Sequence, residues 1–198
     1  NVNCSEKNLI DFSEMGAALY QSLFPNEKAK VALLNVGSEE IKGTELLKGT
    51  YSKLKKLDEI GDFKFYGYIE GNHITDGNCN VIVTDGFTGN VALKTAEGTA
   101  NFLTDNLKKA LSSNIFSKFS SVLSYFKLKK FKNKLDPRKY NGAIFLGLKG
   151  PVVKSHGSTD ALGFSYSLDV CYKIAKGQMI DKIKFNLSHI KNINNEQK

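Results

Sequence analysis

Cysteine is scarce: Cys4, Cys79 and Cys171 are odd in number, far apart and never in CxxC spacing. Neither a disulfide framework nor a zinc site is expected, and the compartment is expected to be reducing. No run approaches the roughly 20 apolar residues that span a bilayer, and no basic stretch leading into an apolar one opens the chain. A soluble, intracellular protein is expected. The first residue is Asn rather than Met, which suggests a piece of a longer protein. G-x-G-x-x-G is absent and no Gly-Lys-Ser/Thr stands at P-loop spacing, so neither a dinucleotide fingerprint nor a Walker loop is expected.

What is present suffices for one substantial domain: 198 residues, 41% of them hydrophobic. The net charge of +8 is unevenly spread. Residues 108–140 hold ten basic side chains against the single acid Asp136, leaving 18 basic against 19 acidic residues elsewhere. One segment therefore carries the whole excess.

The chain is organised around residues 81–95. Val81, Ile82 and Val83 are β-branched and read as a buried strand; Asp85, Gly86, Thr88, Gly89 and Asn90 then read as a loop. Val91, Leu93, Ala96 and Ala100 take up helical spacing, with Asn90 as a candidate cap. Unpaired N–H groups at such a helix start attract anions, and glycine lets a ligand approach the backbone, so phosphate is the first candidate ligand.

Two further loops share this design. Residues 5–23 predict an amphipathic helix capped by Ser5, and residues 30–36 a strand buried on both faces. The glycine-bounded loop 37–43 follows, feeding a helix from about 44 to 57, and residues 63–69 predict the next strand. Residues 143–148 predict another buried strand, and a further short strand leads into His156, Gly157 and Ser158 before a helix capped by Ser158 or Thr159. A histidine at such a helix entrance is a candidate donor to an anion or oxyanion. Alternating strands and helices predict an α/β fold with a doubly wound, mostly parallel sheet, whose ligands sit at the strands' carboxyl ends.

Within the basic segment Ile115, Phe116, Phe119, Val122, Leu123 and Phe126 form a helical apolar stripe, followed by Lys127, Lys129 and Lys130. This suits the surface of an anionic membrane. A partner helix in a dimer or the protein's own core would use the same stripe. The basic residues also suit an acidic protein partner. Nucleic acid is not expected: the GFTG run at 86–89 follows a strand, whereas a KH-type loop joins two helices.

The runs LLNVGSEEIKG (33–43), DGFTGNVALKTAEG (85–98) and GLKGPVVKSHGSTDA (147–161), in that order, resemble the PlsX-type bacterial phosphate acyltransferases of phospholipid synthesis. The resemblance covers most of the chain and implies the C-terminal portion of a longer, single α/β acyltransferase domain. It implies a fold similar to phosphotransacetylases and to isocitrate and isopropylmalate dehydrogenases, with residues 108–140 as a helical basic insertion. It also implies a homodimer, cytoplasmic and peripherally membrane-associated. The implied reaction moves a fatty acyl group from acyl carrier protein to inorganic phosphate, with no cofactor and no metal. On that reading His156, Asp85 and Lys94 are the candidate catalytic residues. Asn35, Gly37, Glu40, Lys42, Gly86, Thr88, Gly89, Asn90, Gly157 and Ser158 are candidates for substrate binding. Phe116, Phe119, Leu123, Phe126, Lys127, Lys129 and Lys130 are candidates for membrane or partner contact. An acyl-CoA-using phosphotransacetylase and a non-catalytic membrane-binding remnant are the alternatives.

Overall fold

The computed structural model describes residues 1–116, 122–134 and 136–196; Phe119 and its share of the apolar stripe lie outside the described residues. Helix α1 (Glu6–Leu23) starts in a capping box. The Ser5 side chain accepts from the Asn8 amide, and the Asn8 side chain accepts from the Ser5 amide, which satisfies donors that helix geometry orphans. Strands β1 (Ala29–Asn35), β2 (Phe63–Glu70) and β3 (Val81–Val83) form a parallel sheet in the order β2-β1-β3. Helix α2 (Glu45–Leu57), capped by Thr44, connects β1 to β2.

Leu9 and Ala17 of α1, Leu54 and Leu57 of α2, and Val31, Leu33, Phe63, Phe65 and Val83 of the sheet form one apolar cluster. The opposite face is mixed: Lys30, Lys64 and Tyr66 are exposed toward the amino ends of the strands, whereas Ala32 and Ile69 are buried and Leu34 half-buried toward the carboxyl ends, so the expectation of burial on both faces holds only there. A register shift at Val31/Ala32 sets Gly67, at φ +100°, opposite Ala32. Such a bulge twists the strand and interrupts its ladder.

Helix α3 runs Gly86–Ser112 and buries no residue. Helix α4 (Tyr125–Lys134) follows. Strands β4 (Ala143–Phe145) and β5 (Val152–Lys154) pair antiparallel as a separate hairpin, so the apolar run at 143–148 is a short, half-exposed hairpin strand rather than a buried sheet strand. Helices α5 (Ala161–Lys176) and α6 (Met179–Glu196) complete the chain. Ile174, Met179 and Ile183 meet Met15 and Ala18 on the other side of α1, forming a second cluster. Gly16 allows the close approach of α1 to the sheet: a Cβ there would lie 2.6 Å from Cγ1 of Val81.

One buried group opposes this packing. Glu14 of α1 is 2% exposed and faces Asn186 of α6, whose Nδ2 has no hydrogen-bond partner among the described residues. Burial, then the negative charge of Asp62, pushes its carboxyl from 4.5 up to about 7. Below the unfolded value both states hold the proton. As pH rises, the unfolded chain releases it first, so stability falls until about pH 7 and then levels off. The full shift corresponds to about 3 kcal/mol. Glu14→Gln is therefore expected to stabilise the protein by about 2–3 kcal/mol at pH 8 and far less at pH 5, measured by urea unfolding at both values.

Candidate functional site

Because β1 and β3 are parallel neighbours, the chain leaves both at the same edge of the sheet. Asn35 ends β1, nearly buried, and ties down the loop that follows: its Oδ1 accepts from the Val36 amide at 2.8 Å and its Nδ2 donates to the Lys42 carbonyl at 3.2 Å. Gly43 adopts φ +89°, and a Cβ there would meet Asn35 Oδ1 at 2.4 Å, so this turn requires glycine. Glu40 anchors the loop from outside, accepting from the Tyr51 hydroxyl at 2.9 Å and the Lys55 ammonium at 2.8 Å. The Lys55 bond first, then that of Tyr51, holds the Glu40 carboxyl below its usual range. Lys42 is exposed and has no ion-pair partner among the described residues, while Gly37 lies against its side chain.

At the β3 end the helix starts earlier than its sequence suggests. Gly86 is the first helical residue and Asp85 the cap, so residues 86–90 form the first turn and not a loop; Asn90 does not cap. Asp85 accepts from the Thr88 amide at 2.8 Å and the Thr88 hydroxyl at 2.6 Å. Partial burial pushes the Asp85 carboxyl up, but the Thr88 hydroxyl and the Thr88 and Phe87 amides outweigh it and hold the group below the usual range. In the sequence two glycines mimic a loop, whereas an Asp cap tolerates them in the first turn. The Gly86 amide donates to the Asn1 carbonyl at 2.6 Å and the Gly89 amide to the Asp85 carbonyl at 3.0 Å. Lys94 pairs with Glu97 one turn further on, at 3.0 Å.

His156 is placed elsewhere, in the turn between β5 and α5; among the described residues no hydrogen bond joins it to the two edge loops. Its Nδ1 lies 3.3 Å from the Ser158 amide and 2.9 Å from Ser158 Oγ. An amide can only donate, so Nδ1 accepts and the neutral ring carries its proton on Nε2, leaving Nε2–H as a donor. Gly157 has open space where a Cβ would stand. Asp160, not Ser158 or Thr159, caps α5, accepting from the Gly163 amide at 2.8 Å. That bond, followed by the Arg138 guanidinium, lowers the Asp160 carboxyl. Arg138 also grips Asp136 and holds that carboxyl down at about 2.

Asn141 beside this turn escaped the sequence reading. Asn141-Gly142 carried a turn signal, but nothing local to it announced the side chain's partners. The turn after β2 holds another pair of this kind, His73 Nδ1 lying 2.7 Å from Asp76.

In the basic segment Phe116 and Phe126 are each 83% exposed, and Ile115, Val122 and Leu123 are exposed too. In this structure these residues of the stripe do not face a core. Among the described residues no helix is long and apolar enough to cross a membrane, and no three His, Cys, Asp or Glu side chains stand together to hold a metal.

A parallel α/β sheet with two glycine-bearing segments at its carboxyl edge defines the class, and the chain belongs to the family described as fatty acid synthesis protein, which matches residues 1–182. It is 62% identical over 187 residues to a phosphate acyltransferase of Pelagibacter ubique (strain HTCC1062), covering 94% of this chain and 56% of that one. Against phosphate acyltransferases of Neisseria meningitidis (serogroup A) and Albidiferax ferrireducens the identities are 45% over 185 residues and 42% over 189. These cover 93% and 96% of this chain and 52% and 54% of the relatives. The resemblance to the PlsX type thus holds, and the chain spans about half the length of the curated relatives it matches.

The cap at α3 is open to measurement. Asp85→Ala is expected to lower stability by about 1 kcal/mol in urea unfolding, whereas Asp85→Asn retains most of it because Asn caps equally well.

Proposed function

We propose that the protein is the C-terminal portion of an acyltransferase domain that moves a fatty acyl group from the thioester of acyl carrier protein to inorganic phosphate. The products are an acyl phosphate for phospholipid synthesis and the free carrier thiol. One observation carries this reading: the exposed Lys42 and the start of α3 with Gly86, Gly89 and Asn90 lie at one edge of the sheet, in a chain 62% identical to a phosphate acyltransferase. The three strands are read as part of a larger doubly wound sheet of the isocitrate dehydrogenase and phosphotransacetylase type.

In this reading the phosphate dianion sits at the α3 start, exchanging the Asn1 carbonyl for a phosphate oxygen at the Gly86 amide. Asn90 and the charges of Lys42 and Lys94 complete its surroundings. A phosphate oxygen attacks the thioester carbonyl carbon, a C–O bond forms, and the C–S bond breaks. The departing thiolate takes a proton from solvent. A thioester is already activated, so positioning and charge stabilisation suffice and no cofactor enters the step. The role of His156 requires the β5–α5 turn to stand across the thioester from the α3 start; there its Nε2–H stabilises the oxyanion, while the Asp85–Thr88 cap holds the helix start in place and Asn35 and Glu40 hold the Lys42 loop.

Exposed Phe87, Val91, Phe102, Leu103 and Leu107 along α3 support a homodimer that covers them. Exposed Phe116, Leu123 and Phe126 beside Lys127, Lys129 and Lys130 support peripheral contact with the cytoplasmic leaflet, where a long-chain acyl phosphate would be delivered.

The test is release of thiol from palmitoyl-acyl carrier protein with and without phosphate, and from palmitoyl-CoA in parallel, using this chain with the Pelagibacter ubique relative as control. Phosphate-dependent release from the carrier substrate is expected; release from acyl-CoA alone would make the protein a phosphotransacetylase. Lys42→Met is expected to raise the KM for phosphate at least about tenfold, the loss of one charge-assisted contact. Replacing Lys127, Lys129 and Lys130 together by Gln is expected to weaken binding to phosphatidylserine-containing vesicles by on the order of 100-fold in a sedimentation assay, at about 1 kcal/mol per lysine.

A further inference from the structure

Asn141 is 9% exposed and spends its whole side-chain amide on the segment that carries His156. Its Oδ1 accepts the His156 backbone N–H at 2.9 Å. Its Nδ2 stands 2.9 Å from Ser155 Oγ, 3.1 Å from Thr159 Oγ1 and 2.8 Å from the Gly163 carbonyl. These partners lie on both sides of His156 and in the first turn of α5, so one side chain fixes the entry, the middle and the exit of the turn. Gly142, at φ +119°, brings the backbone after Asn141 close to Ser167 of α5, where a Cβ would stand 3.4 Å from Cα.

A second clamp closes from the same side. Arg138 Nη1 donates to Asp160 at 2.9 Å, and Nη2 donates to Asp136 at 2.6 Å. Asp160 meanwhile caps α5, and so the exit of the turn is held by a charged pair in addition to Asn141. A buried amide with its donors and acceptor engaged is rigid, because each broken bond would leave a desolvated polar atom.

We infer that Asn141 is a positioning residue for the acyl transfer step: it holds the His156–Ser158 turn so that the imidazole presents Nε2–H at a fixed point. The inference rests on the reading of His156 as the oxyanion donor. Asn141 touches no substrate and acts through His156 alone. Releasing it lets the turn relax, and a misplacement of about 1 Å costs about 100-fold in rate.

The experiment is a double-mutant cycle in phosphate-dependent thiol release, with Asn141→Ala, His156→Ala and the pair. Asn141→Ala is expected to lower kcat by about 100-fold with the KM for phosphate unchanged within about threefold, and to cost less than about threefold in the His156→Ala background. Equal losses in both backgrounds overturn the proposal, since a purely structural role adds in each. Asn141→Asp keeps the acceptor for the His156 N–H and is expected to retain at least about ten times the kcat of Asn141→Ala. This variant decides the matter where the alanine variant does not fold, and activity no higher than that of His156→Ala counts against the proposal. Amide hydrogen exchange of His156 separates the two readings: it is expected to quicken at least about tenfold in Asn141→Ala, which removes the acceptor, whether or not the chain turns over. Unchanged exchange refutes the positioning role, whereas absent turnover of the unsubstituted chain with quickened exchange refutes only the acyltransferase reading.

Discussion

Helix α1 is apolar on two sides, and the rest of the structure depends on that. One side, through Leu9 and Ala17, closes the core over the parallel sheet. The other, through Met15 and Ala18, receives α5 and α6. The sheet loops with Lys42 and Gly86 and the turn with His156 are therefore parts of two subassemblies that share a helix. Gly16 sets how near the sheet lies, and Glu14 weakens the second contact by burying a carboxyl where Asn186 offers only an amide.

Within the sheet subassembly, chemistry follows from parallel pairing. Strands that run the same way must return by crossovers, so their carboxyl ends gather at one edge. The loop after β1 is held at both ends, by Asn35 beneath and by Tyr51 and Lys55 through Glu40, and Lys42 projects from a fixed base. Exposed ion pairs contribute little to stability singly. Here the Tyr51 ring packs at 4.7 Å from Tyr68 and 5.2 Å from Phe65, so its hydroxyl meets Glu40 from a site the core defines.

The second subassembly uses polar groups for the same purpose. Asn141, Arg138 and Asp160 hold a turn that has few apolar contacts of its own, and the turn's histidine is oriented by Ser158. Hydrogen bonds have direction and apolar contacts do not, which suits a turn that must present one N–H group.

Local pattern determined much of this protein. The elements α1, β1, α2, β2 and β3 are legible in the spacing of apolar residues, and Ser5 in the chemistry of caps, because periodicity and capping act over a few residues. The three glycine-bearing segments are legible as motifs, and it is their resemblance to a known family that indicates the family. Tertiary structure alone decided that residues 143–145 pair with 152–154 outside the main sheet and that Asn141 grips a turn 15 residues away; the Asp85 cap of α3 is local by contrast, its partner Thr88 standing three residues on. A polar side chain's partner is chosen by whichever distant backbone folding brings within about 3 Å, and no sequence window contains both.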